Sequence, residues 1–164
     1  MPIINKNKAK YVQRFLLKWY EKNKRDLPWR NIKVNNRTNA YYVLVSEFML
    51  QQTTVNTVIK RFNEFIKLWP SIDKLSRISE NRILRFWSGL GYYNRAKNLL
   101  KTIKIISRDF KSKVPQHYDQ LIELPGVGDY TAKAILGIAY NQPVLPLDAN
   151  IKRIIARLYG IKTL

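Results

Sequence analysis

Glu47 and Asp148 are two acidic residues whose sequence positions suit a carboxyl group that takes part in a reaction, as a proton donor or as a fixed negative charge. Glu47 lies within residues 40–52, a largely apolar stretch that reads as a buried strand or a buried helix, and its length favours the helix. The Glu47 carboxyl then belongs either to a partly exposed or ion-paired helix residue, or to a functional acid whose pKa burial raises. Asp148 precedes the last predicted helix and is placed to cap its N-terminus. From the residues alone, each of these two carboxyl groups could have a purely structural role or a functional one.

A glycine-rich turn follows Leu124-Pro125 as Gly126-Val127-Gly128 and lies between two apolar helical patterns. Glycine allows positive φ and leaves no side chain between the backbone and a ligand. Because a helix begins directly after the turn, its backbone N–H groups could hold a phosphate oxygen. The alternative is a plain helix–helix connector, since a short glycine motif is weak evidence by itself.

The charge of the chain predicts a polyanionic partner. Lys and Arg number 30 against 11 Asp and Glu, a formal net charge of +19, which favours nucleic acid first and an anionic membrane surface second. The sequence has no cysteine and one histidine, which excludes thiolate metal sites, a cysteine nucleophile and histidine clusters from this chain. No apolar run approaches the ~18 residues of a membrane span, and residues 1–5 are too short for a signal peptide. We therefore expect an intracellular protein with no membrane partner.

Apolar residues recur at helical spacing through most of the chain, and no stretch alternates convincingly enough for a strand. The sequence therefore predicts an all-α fold. The predicted helices cover residues 9–22, 40–52, 53–69, 79–88, 94–110, 118–124, 130–140 and 151–159, with a short helical turn over 71–76. Residues 31–39 are polar and predict a loop.

The order of five short motifs closely resembles the helix-hairpin-helix DNA glycosylases and, within them, the MutY family of adenine DNA glycosylases. The resemblance runs from about Trp19 to the last residue. Its motifs are Leu27-Pro28-Trp29-Arg30, Ser46-Glu47-Phe48-Met49-Leu50-Gln51-Gln52-Thr53, Gly89-Leu90-Gly91-Tyr92-Tyr93-Asn94-Arg95-Ala96, Leu124-Pro125-Gly126-Val127-Gly128 and Leu147-Asp148-Ala149-Asn150-Ile151-Lys152-Arg153.

The resemblance implies a six-helix barrel over residues 27–141, with the helix-hairpin-helix near 118–140. It implies a second helical lobe built from residues 1–26 and 142–164, with DNA across the cleft between the two. That lobe is expected to be incomplete. The family usually continues with four cysteines that bind a [4Fe-4S] cluster, and in this protein those cysteines would lie beyond Leu164. We expect no metal site and no cofactor in this chain.

The resemblance also implies residue roles. Glu47 matches the acid that protonates the leaving adenine, and Asp148 the anion that stabilises the sugar cation, with Asn150 as a helper. Tyr130 falls where the lyase branch of the superfamily carries its Schiff-base lysine, which implies a monofunctional enzyme. The implied base pocket contains Leu27, Trp29 and Arg30. The implied DNA contacts are Gln51, Gln52, Thr53, Tyr92 and the hairpin residues Gly126, Val127 and Gly128.

The implied activity is the hydrolytic removal of adenine mispaired with 8-oxoguanine or guanine in double-stranded DNA, during base excision repair. The protein is expected to act as a monomer in the bacterial cytoplasm, at the nucleoid. Ala149 stands where the adenine branch usually has glycine, so a glycosylase for thymine or another mismatch is an alternative. A DNA-binding module without turnover is a third interpretation. Each enzymatic interpretation requires Glu47 and Asp148 to face the same everted nucleotide.

Overall fold

A computed structural model describes residues 6–31, 33–34 and 37–161, and within these ranges the chain forms ten helices and one pair of very short strands. The all-α prediction is confirmed. In chain order the elements are α1 (Lys6–Asn23), α2 (Pro28–Asn31), β1 (Lys33–Val34), β2 (Arg37–Thr38), α3 (Ala40–Leu50), α4 (Val55–Leu68), α5 (Ile72–Ser76), α6 (Glu80–Trp87), α7 (Asn94–Asp109), α8 (Tyr118–Ile122), α9 (Asp129–Tyr140) and α10 (Ala149–Tyr159).

The segment predicted as a loop, residues 31–39, contains the two short strands. They pair antiparallel, with Lys33 opposite Thr38 and Val34 opposite Arg37. The loop prediction was wrong at these positions because strands of two residues are too short to show an alternating pattern. The helical turn α2 just before them was also missed. It begins at Pro28, whose fixed φ suits the first position of a helix.

Helix α3 lies at the centre of the core and resolves the choice between a buried strand and a buried helix. It packs against α2, α4, α7 and α9. Such a helix must be apolar on every side, which explains why its sequence lacks a clear polar face. Asn39 fixes where it begins, because its side-chain oxygen accepts a hydrogen bond of 3.0 Å from the backbone N–H of Tyr41. The α3 side chains without exposed surface are Val43, Leu44, Val45, Ser46, Phe48 and Met49.

Aromatic side chains fill the space between α2, α3, α4 and α6. Trp29 meets the ring of Phe62 edge-on, with the centroids 5.3 Å apart, and Phe65 meets Trp69 in the same way at 4.8 Å. Edge-to-face pairs of this kind are favourable because the positive ring edge meets the negative ring face. The hydroxyl of Tyr41 donates a hydrogen bond of 2.7 Å to the carbonyl oxygen of Trp69. Its polar group is therefore satisfied inside the core.

The chain divides into two compact units. One is Leu27–Pro146, and the other combines Met1–Asp26 with Leu147–Leu164. The six-helix barrel and the incomplete second lobe stay predictions. Within the smaller unit, the ammonium group of Lys8 donates a hydrogen bond of 2.7 Å to the carbonyl oxygen of Leu158. Helix α1 also exposes a set of large apolar side chains, namely Tyr11, Phe15, Leu16, Leu17, Trp19 and Tyr20.

Candidate functional site

Glu47 is a buried carboxyl group on the central helix, with 7% of its surface exposed. Burial raises the pKa of Glu47 from 4.5 to about 7, because a charged carboxylate is poorly solvated there. The positive charge of Arg30 opposes this shift and lowers the pKa in part. A carboxyl group with this pKa is half protonated near neutral pH and can give a proton to a substrate. Glu47 is therefore the candidate proton donor of the site.

The three residues predicted to form a base pocket differ in their surroundings. Leu27 and Trp29 belong to the buried core, and Trp29 is only 1% exposed. Arg30 is partly exposed, and its charge acts on the Glu47 carboxyl group. Trp29 is buried and its described ring contact is with Phe62, so in this structure it packs the core. Contact of these three side chains with a base stays a prediction.

The glycine hairpin between α8 and α9 packs tightly against the rest of the larger unit. Gly126 has φ of +79°, and a Cβ atom added there would lie 2.9 Å from the Cβ of Asn98 and 2.9 Å from a ring carbon of Phe48. Only glycine satisfies both the backbone conformation and the space. The hydroxyl of Thr102 donates a hydrogen bond of 2.8 Å to the carbonyl oxygen of Pro125. The hairpin is therefore fixed to α3 and α7 on its inner side.

Helix α9 begins directly after the hairpin. Gly128 is its N-cap residue, with extended backbone and no side chain to accept hydrogen bonds from the first turn. Tyr130, in that turn, is exposed. The ammonium of Lys133 lies 2.7 Å from the Asp129 carboxylate, and that hydrogen bond raises the pKa of Lys133. Lys133 is therefore kept protonated, which makes it a poor nucleophile at neutral pH.

An open cavity of about 650 Å³ brings together side chains from the end of α3 and the start of α7. Among the predicted DNA contacts, Gln51, Gln52 and Tyr92 line it, and Tyr92 is 64% exposed. Thr53 is not in the lining, and its hydroxyl lies 3.4 Å from the carbonyl oxygen of Gln51. Gln52 and Tyr92 both have left-handed backbone, with φ of 54° and 49°. Side chains other than glycine rarely adopt this conformation, and such positions concentrate at functional sites.

Arg95 is the residue of this region that the sequence did not single out. It is buried, and its guanidinium carbon lies 5.6 Å from the ring centroid of Tyr92 and 5.7 Å from that of Trp87. The sequence did contain a signal for Arg95, because it lies four residues before Leu99 and therefore on the buried face of α7. A charged residue in such a position requires hydrogen-bond or ion-pair partners. Its Nη1 and Nη2 atoms donate hydrogen bonds to the carbonyl oxygens of Phe48 (3.3 Å), Met49 (2.9 Å), Gln51, Leu90 (2.8 Å) and Gly91 (3.1 Å).

Asp148 and Asn150 belong to the smaller unit. Asp148 is the N-cap of α10, and its Oδ1 accepts a hydrogen bond of 2.7 Å from the backbone N–H of Ile151. The structural interpretation of Asp148 as a cap is therefore correct. The side-chain amide of Asn150 lies 3.4 Å from the second carboxylate oxygen, Oδ2, and its oxygen accepts a hydrogen bond of 2.6 Å from Arg153. Capping uses one carboxylate oxygen and leaves the negative charge in place.

The described residues contain no group of three or more His, Cys, Asp or Glu side chains that could hold a metal ion. An iron–sulfur cluster is bound by cysteine thiolates, and the 164 residues contain none, so the residues present do not fit such a cluster. Within the part of the chain that is described, no helix has the length and apolarity needed to cross a membrane.

Comparison with known proteins gives both family and fold. The family model described as "HhH-GPD superfamily base excision DNA repair protein" matches residues 45–164. The chain is 45% identical over 158 residues to the adenine DNA glycosylase of Buchnera aphidicola subsp. Acyrthosiphon pisum (strain APS), an alignment covering 95% of this chain and 44% of that protein. The chain spans less than half the length of the curated relatives that it matches.

Two solved structures share the fold. A thermostable thymine-DNA glycosylase superposes with a TM-score of 0.83 at 26% identity, over 92% of this chain and 67% of that one. A non-covalent endonuclease III–DNA complex superposes with a TM-score of 0.75 at 20% identity, over 93% of this chain and 68% of that one. The second likeness concerns the fold alone. Both support the helix-hairpin-helix architecture expected from the motifs.

Proposed function

The chain belongs to the HhH-GPD superfamily of base excision DNA repair proteins, and we propose that it is a monofunctional DNA N-glycosylase that removes adenine mispaired with 8-oxoguanine or guanine. One observation carries the proposal. The central helix holds a carboxyl group, that of Glu47, whose pKa burial raises to about 7. The name of the Buchnera relative supports adenine as the base.

Glu47 is the proposed general acid. Adenine leaves slowly from deoxyribose unless one of its ring nitrogens is protonated, and the protonated carboxyl group supplies that proton. The bond between the sugar and the base breaks, and its electron pair leaves with the base. The sugar is left as a cation. A water oxygen then bonds to the sugar carbon, and the proton that this water loses returns to the carboxylate or to solvent.

Asp148 is the proposed anion that stabilises the sugar cation, with Asn150 beside its carboxylate. A fixed negative charge lowers the barrier because positive charge develops on the sugar in the transition state. The hydrogen bond from the Ile151 N–H orients the Asp148 carboxylate, so the same side chain caps a helix and presents a charge. Tyr130 occupies the position of the lyase branch's lysine, so no Schiff base is expected. Lys133, paired with Asp129, is not proposed to replace that lysine.

A base inside duplex DNA must leave the stack before this chemistry can begin, which costs a few kcal/mol. Gln51, Gln52 and Tyr92 are proposed to enter the duplex at the gap and to offset the lost stacking. Their shared cavity and the two left-handed positions support this role. The Gly126-Val127-Gly128 amides are proposed to hold a phosphate, and Leu27, Trp29 and Arg30 to contact the base. The net charge of +19 favours a DNA partner.

A second candidate is removal of thymine from T·G mismatches. Ala149 and the likeness to a thymine-DNA glycosylase at TM-score 0.83 favour it. The 45% identity to an adenine DNA glycosylase, against 26% to the thymine enzyme, makes adenine the first choice. We further propose that the protein is a monomer and that it acts on nucleoid DNA in the bacterial cytoplasm. Any iron–sulfur cluster would take its cysteines from outside these 164 residues.

Base release from short duplexes tests the proposal. The purified chain is incubated with A·8-oxoguanine, A·G, T·G and A·T duplexes, and free base is separated and quantified. We expect adenine from the first two and nothing from the A·T control. Release of thymine alone would transfer the assignment to the second candidate. Tight binding to all four duplexes without any released base would indicate a DNA-binding module without turnover.

A further inference from the structure

Gln52 and Tyr92 belong to different connections of the larger unit but share one unusual backbone feature. Both have positive φ, 54° and 49°, and both line the 650 Å³ cavity. Residues other than glycine persist in this conformation only where surrounding contacts determine the backbone on both sides. At these two positions the side chain of Arg95 supplies such contacts.

The guanidinium of Arg95 contacts the peptide group that precedes each of them. Its Nη1 donates a hydrogen bond to the carbonyl oxygen of Gln51, the residue before Gln52. Its Nη2 donates a hydrogen bond of 3.1 Å to the carbonyl oxygen of Gly91, the residue before Tyr92. Because φ describes rotation relative to the preceding peptide group, fixing that group limits the conformations open to the residue after it.

The remaining contacts of Arg95 fix the guanidinium itself. Nη1 also binds the carbonyl oxygen of Met49 at 2.9 Å, and Nη2 that of Leu90 at 2.8 Å. The planar, five-donor group can serve two chain segments at once, which the single ammonium group of a lysine cannot do in the same geometry. Its guanidinium carbon lies over the ring of Tyr92, 5.6 Å from the centroid, so one cation supports both the backbone and the side chain.

We propose that Arg95 is a positioning residue that sets Gln52 and Tyr92 in their left-handed conformations and so presents both side chains to the DNA before binding. This inference rests on the proposed function, in which these side chains fill the gap left by the extruded base. Arg95 also lines the cavity, but the role proposed for it is to hold backbone and not to contact the substrate. Its effect reaches the reaction through the two residues that it holds, and it acts on base extrusion before the chemical step.

The chain offers a matched control in Arg61. Its guanidinium also donates hydrogen bonds to carbonyl oxygens near the α6–α7 connection, those of Phe86 and Ser88, and lies over the Phe86 ring at 4.7 Å. No described contact joins it to Gln51 or Gly91. Arg61→Lys changes a similar arginine-to-carbonyl contact, together with the ion pair of Arg61 with Glu64, and touches neither left-handed residue.

The test compares Arg95→Lys and Arg95→Gln with Arg61→Lys, each at a temperature where circular dichroism shows a folded chain. Base extrusion is followed by the fluorescence of 2-aminopurine at the target position, which rises when the base unstacks. Base release is measured under single-turnover conditions on an A·8-oxoguanine duplex and on a duplex with adenine in a bulge, where less stacking must be broken.

We expect both Arg95 variants to lose about 10- to 100-fold in release from the paired duplex, with a smaller loss on the bulge and a reduced fluorescence rise. Arg61→Lys should match the wild type in both readouts. Equal losses on the two substrates, an unchanged fluorescence rise, or an Arg95→Lys chain that folds at no temperature would overturn the proposal. If the wild type unstacks 2-aminopurine but releases no base, the proposed function fails, while the fluorescence comparison still decides the role of Arg95.

Discussion

The side-chain amide of Gln51 donates a hydrogen bond of 3.4 Å to the carbonyl oxygen of Gly126, which joins the end of α3 to the glycine hairpin. The same glycine lies against Phe48, also on α3. The helix that carries Glu47 and the hairpin proposed to hold a phosphate are therefore packed directly on each other. A phosphate bound at the hairpin would have a fixed position relative to α3.

Gly126→Ala should break this packing. The new methyl group would lie 2.9 Å from Asn98 and Phe48, at φ of +79°, so both overlap and backbone strain add to the cost. We expect a loss of about 2–4 kcal/mol in the free energy of unfolding, measured by urea denaturation. Gly89→Ala is the control, because its φ is +88° but nothing lies within 4 Å of the new atom. Equal losses in the two variants would show that the contacts of Gly126 contribute nothing.

Glu47→Gln should abolish base release and leave DNA binding intact. The amide keeps the size of the side chain but has no acidic proton, and a general acid contributes about 10²- to 10⁴-fold to a rate. Single-turnover release and DNA affinity are measured on the same duplex. Glu64→Gln, a change on an exposed face of the same unit, should behave like the wild type. Release by Glu47→Gln at the wild-type rate would remove Glu47 from the mechanism.

The rate of base release should fall as the pH rises above about 7, because the pKa of Glu47 is raised to about 7 and the acid must carry its proton. Well above that value, each further pH unit should lower the rate about tenfold. Single-turnover rates between pH 6 and 9, at constant salt and saturating enzyme, give the profile. A rate that stays constant through pH 9 would mean that another group protonates the base.

Glu47 should also make folding less favourable as the pH rises. Between pH 4.5 and 7 the unfolded chain releases the Glu47 proton while the folded chain keeps it, so stability is lost through this window and levels off above it. The unfolding free energy of Glu47→Gln minus that of the wild type should therefore grow by about 2–3 kcal/mol from pH 5 to pH 8. Urea denaturation at both pH values measures it. A difference independent of pH would show that the Glu47 carboxyl titrates normally.

Asp148→Asn should separate the two roles of Asp148. Asparagine accepts the hydrogen bond from the Ile151 N–H equally well, so the unfolding free energy should change by less than about 1 kcal/mol. Loss of the negative charge should lower base release by about 10²- to 10³-fold. Asp148→Ala should lose the cap as well, with a further drop in thermal stability. If the asparagine variant releases base normally, Asp148 is a helix cap and nothing more.

Helix periodicity predicted the described helices except α2, and residue type predicted the cap at Asp148, while for Glu47 it left a partly exposed residue and a buried acid open. These features depend on local spacing and on which side chains tolerate burial. The left-handed backbone of Gln52 and Tyr92 could not be predicted, because neither residue type favours positive φ. The spacing of Arg95 on the buried face of α7 was a signal, but its partners could not be predicted, because they are backbone carbonyl oxygens, which every residue has and no sequence pattern marks.

The exposed apolar side chains of α1 set the conditions under which the protein can be handled. At low ionic strength, the net charge of +19 keeps the molecules apart in solution. Salt at about 1 M shortens the screening length from about 10 Å at 0.1 M to about 3 Å. High-salt washes are used to remove nucleic acid from a basic protein. The same salt concentration would screen the repulsion between molecules, so the exposed apolar side chains of α1 could contact each other and the protein would aggregate.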